Sequence, residues 1–318
     1  MSSSQENNVG VVAAIDLGTN SSRLLVADKN GIPLYRDVRH VALGDGLAET
    51  GRFSEISMER AICSFMDFKE MMNAYDVAKY RAIATAACRM SENTADFIKE
   101  IKDVCGIDLD VISEFEEARL TLLGARLNAP QDKKYLFVYD LGGGSTEITL
   151  ATNEARPQII ETISVPLGAR NATEIFNLKD YNIKGAQELE NAVKKYTDEF
   201  LDRIKAVDYI GKTALIATSS TPLRLAAWVF QHTAYDKFAA DGLCMKTDDL
   251  EQVIASALTM SYTERADSPY IGRNRAGIFI AALIIFRTIY RALGCEEMIA
   301  SLKGAQEAIV AELLAGKD

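Results

Sequence analysis

Residues 138–151 read VYDLGGGSTEITLA, and residues 12–27 read VAAIDLGTNSSRLLVA. In each, an apolar run ends on an Asp, a turn bearing glycine and hydroxyl residues follows, and a second apolar run leads away. Asp16, Leu17, Gly18, Ser21 and Ala27 align with Asp140, Leu141, Gly142, Ser145 and Ala151 at one constant offset, with Ser22 opposite Thr146. One such hairpin is an ordinary turn. Two of them, each opening a series of strands and helices, indicate two related α/β lobes. Glycines let backbone N–H groups approach an anion with no side chain in the way. Ser and Thr add short donors, and an Asp at a strand end suits a hard cation such as Mg²⁺. Two such hairpins facing each other would clamp a phosphate chain from both sides.

The rest of the chain agrees with this outline. Its 318 residues are enough for two domains, and 48% hydrophobic with 25% charged residues is a globular composition. The net charge of −10 argues against a general nucleic-acid or anionic-membrane binder, so a polyanionic ligand would need a metal or a local positive site. Five cysteines, Cys63, Cys88, Cys105, Cys244 and Cys295, form no C-x-x-C and read as reduced thiols of a cytoplasmic protein. The start MSSSQENNVG lacks a signal pattern. The most apolar run, AGIFIAALIIF (276–286), is too short to span a bilayer and reads as a buried helix.

Periodicity predicts strand, turn and strand over 9–27, a further strand within 31–45, and a helix over 56–77 behind a Ser54 cap. YRAIATAACR (80–89) reads as a strand running into a loop, and helix, strand and helix follow over 93–106, 109–113 and 114–128. After the second hairpin the pattern predicts a strand near 158–165, a helix near 185–206, the strand TALIATS (213–219), and helices to the end.

The sequence resembles the exopolyphosphatase / guanosine pentaphosphate phosphohydrolase family of the actin, sugar-kinase and heat-shock-ATPase superfamily. Four elements carry the resemblance in order: AAIDLGTNSS (13–22), ATAACR (84–89), EEAR (116–119) and DLGGGSTE (140–147). It implies two ribonuclease-H-like, actin-like lobes, each a mixed five-stranded sheet flanked by helices, with a cleft between. The first lobe is expected over 1–120, joined by a C-terminal helix at 303–318, and the second over 121–302. The resemblance makes Glu117 the general base, on a helix crossing between the lobes, with Asp140 and Glu147 catalytic and metal-holding beside it. Asp16 is the third expected ligand of Mg²⁺ or Mn²⁺. Thr19, Asn20, Ser21, Arg89, Gly142, Gly143, Gly144 and Ser145 are expected to bind phosphate. A homodimer is a further family-level expectation.

Six more basic residues, Lys133, Lys134, Arg170, Arg224, Arg273 and Arg275, are candidates to guide a long anion, with Arg170 of SVPLGAR first among them. IGKT (210–213) is not a Walker A loop, because Ala206 stands where its first glycine belongs. With only His40 and His232, a histidine-based dinuclear metal site is excluded. The segment IATSSTPLRLAA (216–227) departs from the family, which usually shows G-T-G-G-T here; Ser219 and Ser220 replace glycines. Their loss weakens the case for a tightly held adenosine and hence for a kinase. Met90 also departs, standing where a small residue is common.

The leading expectation is a hydrolase releasing terminal phosphate from inorganic polyphosphate. The 5′ γ-phosphate of guanosine pentaphosphate is the second, and a non-catalytic polyphosphate- or alarmone-binding regulator is the alternative from another class.

Overall fold

The computed structural model describes residues 10–316, so the first nine residues and the last two of the expected C-terminal helix lie outside it. Two mixed sheets organise the chain. The first contains β1 (Val12–Leu17), β2 (Ser21–Ala27), β3 (Pro33–His40), β4 (Lys79–Ala84) and β5 (Leu109–Val111), in the order β3-β2-β1-β4-β5. The second contains β6 (Tyr135–Leu141), β7 (Thr146–Thr152), β8 (Ile159–Val165), β9 (Thr213–Thr218), β10 (Cys244–Lys246) and β11 (Glu297–Ser301), in the order β10-β11-β9-β6-β7-β8.

The duplication extends from the hairpins to the whole sheets. In each, three antiparallel strands are followed by strands parallel to the first: β4 and β5 on β1, and β9 and β11 on β6. The second sheet exceeds the expected five strands, because β10 adds an antiparallel edge to β11. β10 and β11 are three and five residues long and lie in a stretch read as helices throughout; runs this short carry too little periodicity to be told from helix.

The first sheet carries helices α1 (Leu47–Thr50), α2 (Glu55–Ala74), α3 (Ala86–Met90) and α4 (Thr94–Cys105). α2 starts where Ser54 accepts a hydrogen bond from the Ser57 amide, and α4 stops at Gly106, whose φ of 67° suits glycine. α5 (Glu114–Ala125) leads from the first sheet to the second. The second sheet carries α6 (Ala169–Ile175), α7 (Ile183–Ile204), α8 (Ser220–Val229), α9 (Lys237–Ala240), α10 (Thr247–Thr259), α11 (Tyr262–Asp267), α12 (Arg273–Ala276) and α13 (Phe279–Leu293). α13 is the apolar run noted above, and it lies in the core with Phe137, Tyr139 and Phe200. Among the described residues, no helix is long and apolar enough to cross a membrane.

α14 (Ala305–Leu314) packs its Ala308, Ile309 and Leu313 against Val12, Ala14 and Leu25 of the first sheet, with Leu120 of α5 in the same cluster. On its other side α5 packs Leu122 and Ala125 against Leu136, Val138 and Ile216 of the second sheet. A helix with apolar residues on both sides is read as buried rather than surface-lying, and α5 is held between the two sheets. Gly124 permits this: a Cβ there would sit 1.9 Å from the Gly304 carbonyl oxygen.

Candidate active site

Both hairpins close the same way, with the Gly18 amide donating to the Ser21 carbonyl and the Gly142 amide to the Ser145 carbonyl, each at 3.0 Å. Their turns meet. A Cβ on Gly143 would lie 3.0 Å from Thr19 Cβ, and one on Gly144 would lie 2.7 Å from Thr19 Oγ1. Only glycine lets the second turn approach the first this closely. Gly168 extends the packing, since its Cβ would fall 2.4 Å from the Gly143 carbonyl carbon.

Behind the paired turns lies a cleft of about 330 Å³. Asp16, Thr19, Asn20, Ser21, Glu117, Asp140, Gly142, Gly143, Gly144 and Ser145 all line it. Arg89 and Glu147 reach it through partners. Arg89 Nη1 donates to Glu117 Oε2 at 2.8 Å and to the Ile112 carbonyl at 3.0 Å. Glu147 is buried opposite Asp140 on the neighbouring strand and accepts hydrogen bonds from Ser164, at 3.1 Å, and from Ser145. The loop predicted at the end of the 80–89 strand is instead the short helix α3, and it carries Arg89 with its guanidinium on Glu117.

The carboxylates carry strain of an electrostatic kind. Burial pushes the Glu117 carboxyl well above its ordinary range; the Glu147 charge adds to this, and Arg89 opposes it. Glu147 is raised to about 7, first by burial and then by Asp140. Asp140 is raised by burial, against the charge of Arg23 and a hydrogen bond from Thr218.

The donor set bears on a metal. Among the described residues no group of three or more His, Cys, Asp or Glu is placed to hold a metal ion. Asp16 lines the cleft with one carboxylate oxygen on Arg23 Nη1 at 2.8 Å, and its charge reaches Asp140. The pair Asp140–Glu147 remains, and Mg²⁺ is commonly held by one or two carboxylates with waters and phosphate oxygens completing the shell. Among the described residues, Asp16 pairs with Arg23 and Glu117 with Arg89 while Asp140 and Glu147 have no ion pair, a surplus of negative charge that suits a divalent cation.

The remaining cations divide. Arg170 binds Asp45 and Asn20, tying the second lobe to the first hairpin. Arg224 and Arg275 line the cleft, Arg273 lines a neighbouring cavity, and Lys133 and Lys134 precede β6, at the opposite end of that strand from Asp140. Arg23, Arg36, Lys237 and Thr218 are cleft residues that sequence reasoning missed. For Arg23 a signal existed, since it occupies the first-hairpin position equivalent to Glu147. Lys237 lies far from every motif and had none.

Fold and site together define a two-lobed α/β protein that sets paired glycine-rich turns over buried carboxylates. A profile of the Ppx/GppA phosphatase family matches residues 25–316. The chain is 30% identical over 294 residues to exopolyphosphatase 2 of Mycobacterium tuberculosis, covering 89% of this chain and 90% of that protein. It is 32% identical over 209 residues to a bifunctional 3-dehydroquinate synthase/phosphatase of Fusobacterium nucleatum, covering 62% of this chain and 29% of that one. Among solved structures, an exopolyphosphatase-like protein superposes with a TM-score of 0.87 at 28% identity, over 96% of this chain and 97% of that one. A Ppx/GppA family member from Aquifex aeolicus gives 0.79 at 25% identity, over 97% and 99%. The chain belongs to the Ppx/GppA phosphatase family.

Proposed function

We propose that this protein is an exopolyphosphatase, hydrolysing the terminal phosphoanhydride of inorganic polyphosphate with Glu117 as general base. The observation that carries the reading is the cleft wall. Arg224, Arg275 and Lys237 stand there without a carboxylate in salt-bridge distance among the described residues, while the buried acids gather at the hairpins. Burial and the neighbouring Arg224 and Arg23 hold the Arg275 guanidinium down at about 9. Unpaired cations this confined favour an extended anionic ligand over a single phosphate.

In this reading the turn amides at Gly142–Gly144, the Ser145 hydroxyl and the Thr19–Ser21 turn hold the terminal phosphate. Glu117 takes a proton from water as the water oxygen attacks the terminal phosphorus. The bond from that phosphorus to the bridging oxygen breaks, releasing inorganic phosphate and a chain one unit shorter. Arg89 orients the Glu117 carboxylate. Mg²⁺, or Mn²⁺ in its place, would be held by Asp140 and Glu147 and would neutralise phosphate charge.

Guanosine pentaphosphate presents the same anhydride at its 5′ end, so it is the second reading. Phosphate release with Mg²⁺ from long-chain polyphosphate, guanosine pentaphosphate and ATP, measured side by side, tests the assignment. Polyphosphate is expected to give the highest kcat/KM, and no release from it would overturn the reading.

A further inference from the structure

At the head of α8, β9 ends at Thr218 and the helix begins at Ser220, with Ser219 between them at φ 84° and ψ −174°. That backbone region is essentially glycine's own, and a serine occupies it. Both hydroxyls are enclosed: Ser219 Oγ and Ser220 Oγ are buried and have no hydrogen-bond partner among the described residues, yet both residues line the cleft. Buried hydroxyls are ordinarily satisfied, and leaving one unpaired is costly.

The surroundings define what would satisfy them. One turn along α8, Arg224 also keeps a buried Nε without a partner while its Nη1 donates to the Tyr270 and Ile271 carbonyls, each at 2.7 Å. Arg275 lines the same wall. The first turn of α8 adds backbone amides with no partner inside the helix. Every group here can donate, and among the described residues no carboxylate is paired with the two arginines. The ligand must be rich in acceptors and negatively charged.

We propose that Ser219 and Ser220, with the first turn of α8, form a subsite for an inner phosphate of the substrate chain, behind the unit being hydrolysed. The proposal rests on the polyphosphate reading and deepens it. The Asp140 side chain accepts from Thr218, the residue before Ser219, so the subsite adjoins the catalytic hairpin directly.

Ser219→Gly, Ser220→Ala and the double variant test this. Tripolyphosphate affinity is measured by calorimetry, and KM and kcat by phosphate release from long-chain polyphosphate. Each lost hydroxyl is expected to weaken binding about 10-fold, the scale of a hydrogen bond to a charged group, with KM changing more than kcat. Ser220→Thr, which keeps a hydroxyl, retains the affinity. Ser219→Gly is expected to melt no lower than wild type, since it relieves the backbone and removes no hydrogen bond. That result separates loss of a ligand contact from loss of folding. Unchanged tripolyphosphate affinity and KM in the double variant would overturn the subsite. Absence of polyphosphate turnover in wild type, with tripolyphosphate affinity still dependent on the two serines, would overturn the hydrolase reading and leave the subsite standing.

Discussion

Arg23 holds in the first hairpin the register position that Glu147 holds in the second: Arg23 faces Asp16 across its strand pair, and Glu147 faces Asp140 across the other. One duplicated hairpin thus carries a neutralised pair and the other an unneutralised one. This asymmetry sets Asp16 in an ion pair with Arg23, while Asp140 and Glu147 lie side by side as two carboxylates.

The acid pair makes stability depend on pH. The folded Glu147 carboxyl titrates at about 7, above its ordinary 4.5. An acid raised by folding favours the folded state most below its unfolded value and costs stability as pH climbs through the folded one. In chelator, the melting temperature is expected to fall between pH 5 and pH 8 and to recover on adding Mg²⁺. Glu147→Gln should flatten that slope; a melting temperature independent of pH in wild type would count against the assignment.

Glu117→Gln is expected to lower phosphate release by about 10²–10⁴-fold, the usual worth of a general base, while tripolyphosphate still binds in calorimetry. Turnover near wild type would remove Glu117 from the role.

Arg89 is the main influence holding the Glu117 carboxyl down against burial. In Arg89→Ala the carboxyl should rise further, so the acid limb of the pH–rate profile is expected to move to higher pH. Arg89→Lys should move it back part of the way. An unshifted limb with reduced kcat would instead assign Arg89 to phosphate alone.

Arg275 sits in the cleft wall with its guanidinium held at about 9 by burial and by other arginines. Replacing it by Met should raise the melting temperature, because an unpaired confined cation is removed, and should weaken polyphosphate binding. Thermal melts and titrations on the same preparation separate the two effects.

Gly124→Ala places a methyl against the Gly304 backbone, and overpacking of this kind costs about 1–3 kcal/mol. A drop of several degrees in melting temperature is expected, while Gly277→Ala, whose methyl would meet only Tyr262 at 3.7 Å, should be near neutral.

Much of this was legible beforehand where local chemistry and spacing coincide. The hairpins, their turns and the long helices α2 and α7 follow from glycine placement and periodicity. Glu117 in the cleft followed from the EEAR resemblance rather than from three acids at a helix start, a pattern equally typical of solvated helices. Arg170, read as a candidate guide for anions, also bridges Asn20 and Asp45, a pairing across more than a hundred residues that no local pattern encodes. The Ser219–Ser220 departure was visible as a substitution. That its hydroxyls would be enclosed and unpaired depends on the packing of α8, which sequence does not disclose.

α5 is wedged between both sheets, with Glu117 near one end and the tight Gly124–Gly304 crossing near the other. The two residues are seven positions apart, a lever arm of about 10 Å at the helical rise. A tilt of about ten degrees about the crossing would swing the carboxylate by about 2 Å, beyond the tolerance of proton abstraction at hydrogen-bond range. Under the proposed role of Glu117, a rocking motion far too slight to open the molecule would therefore act as a clutch, disengaging that carboxylate while the paired turns stay in contact.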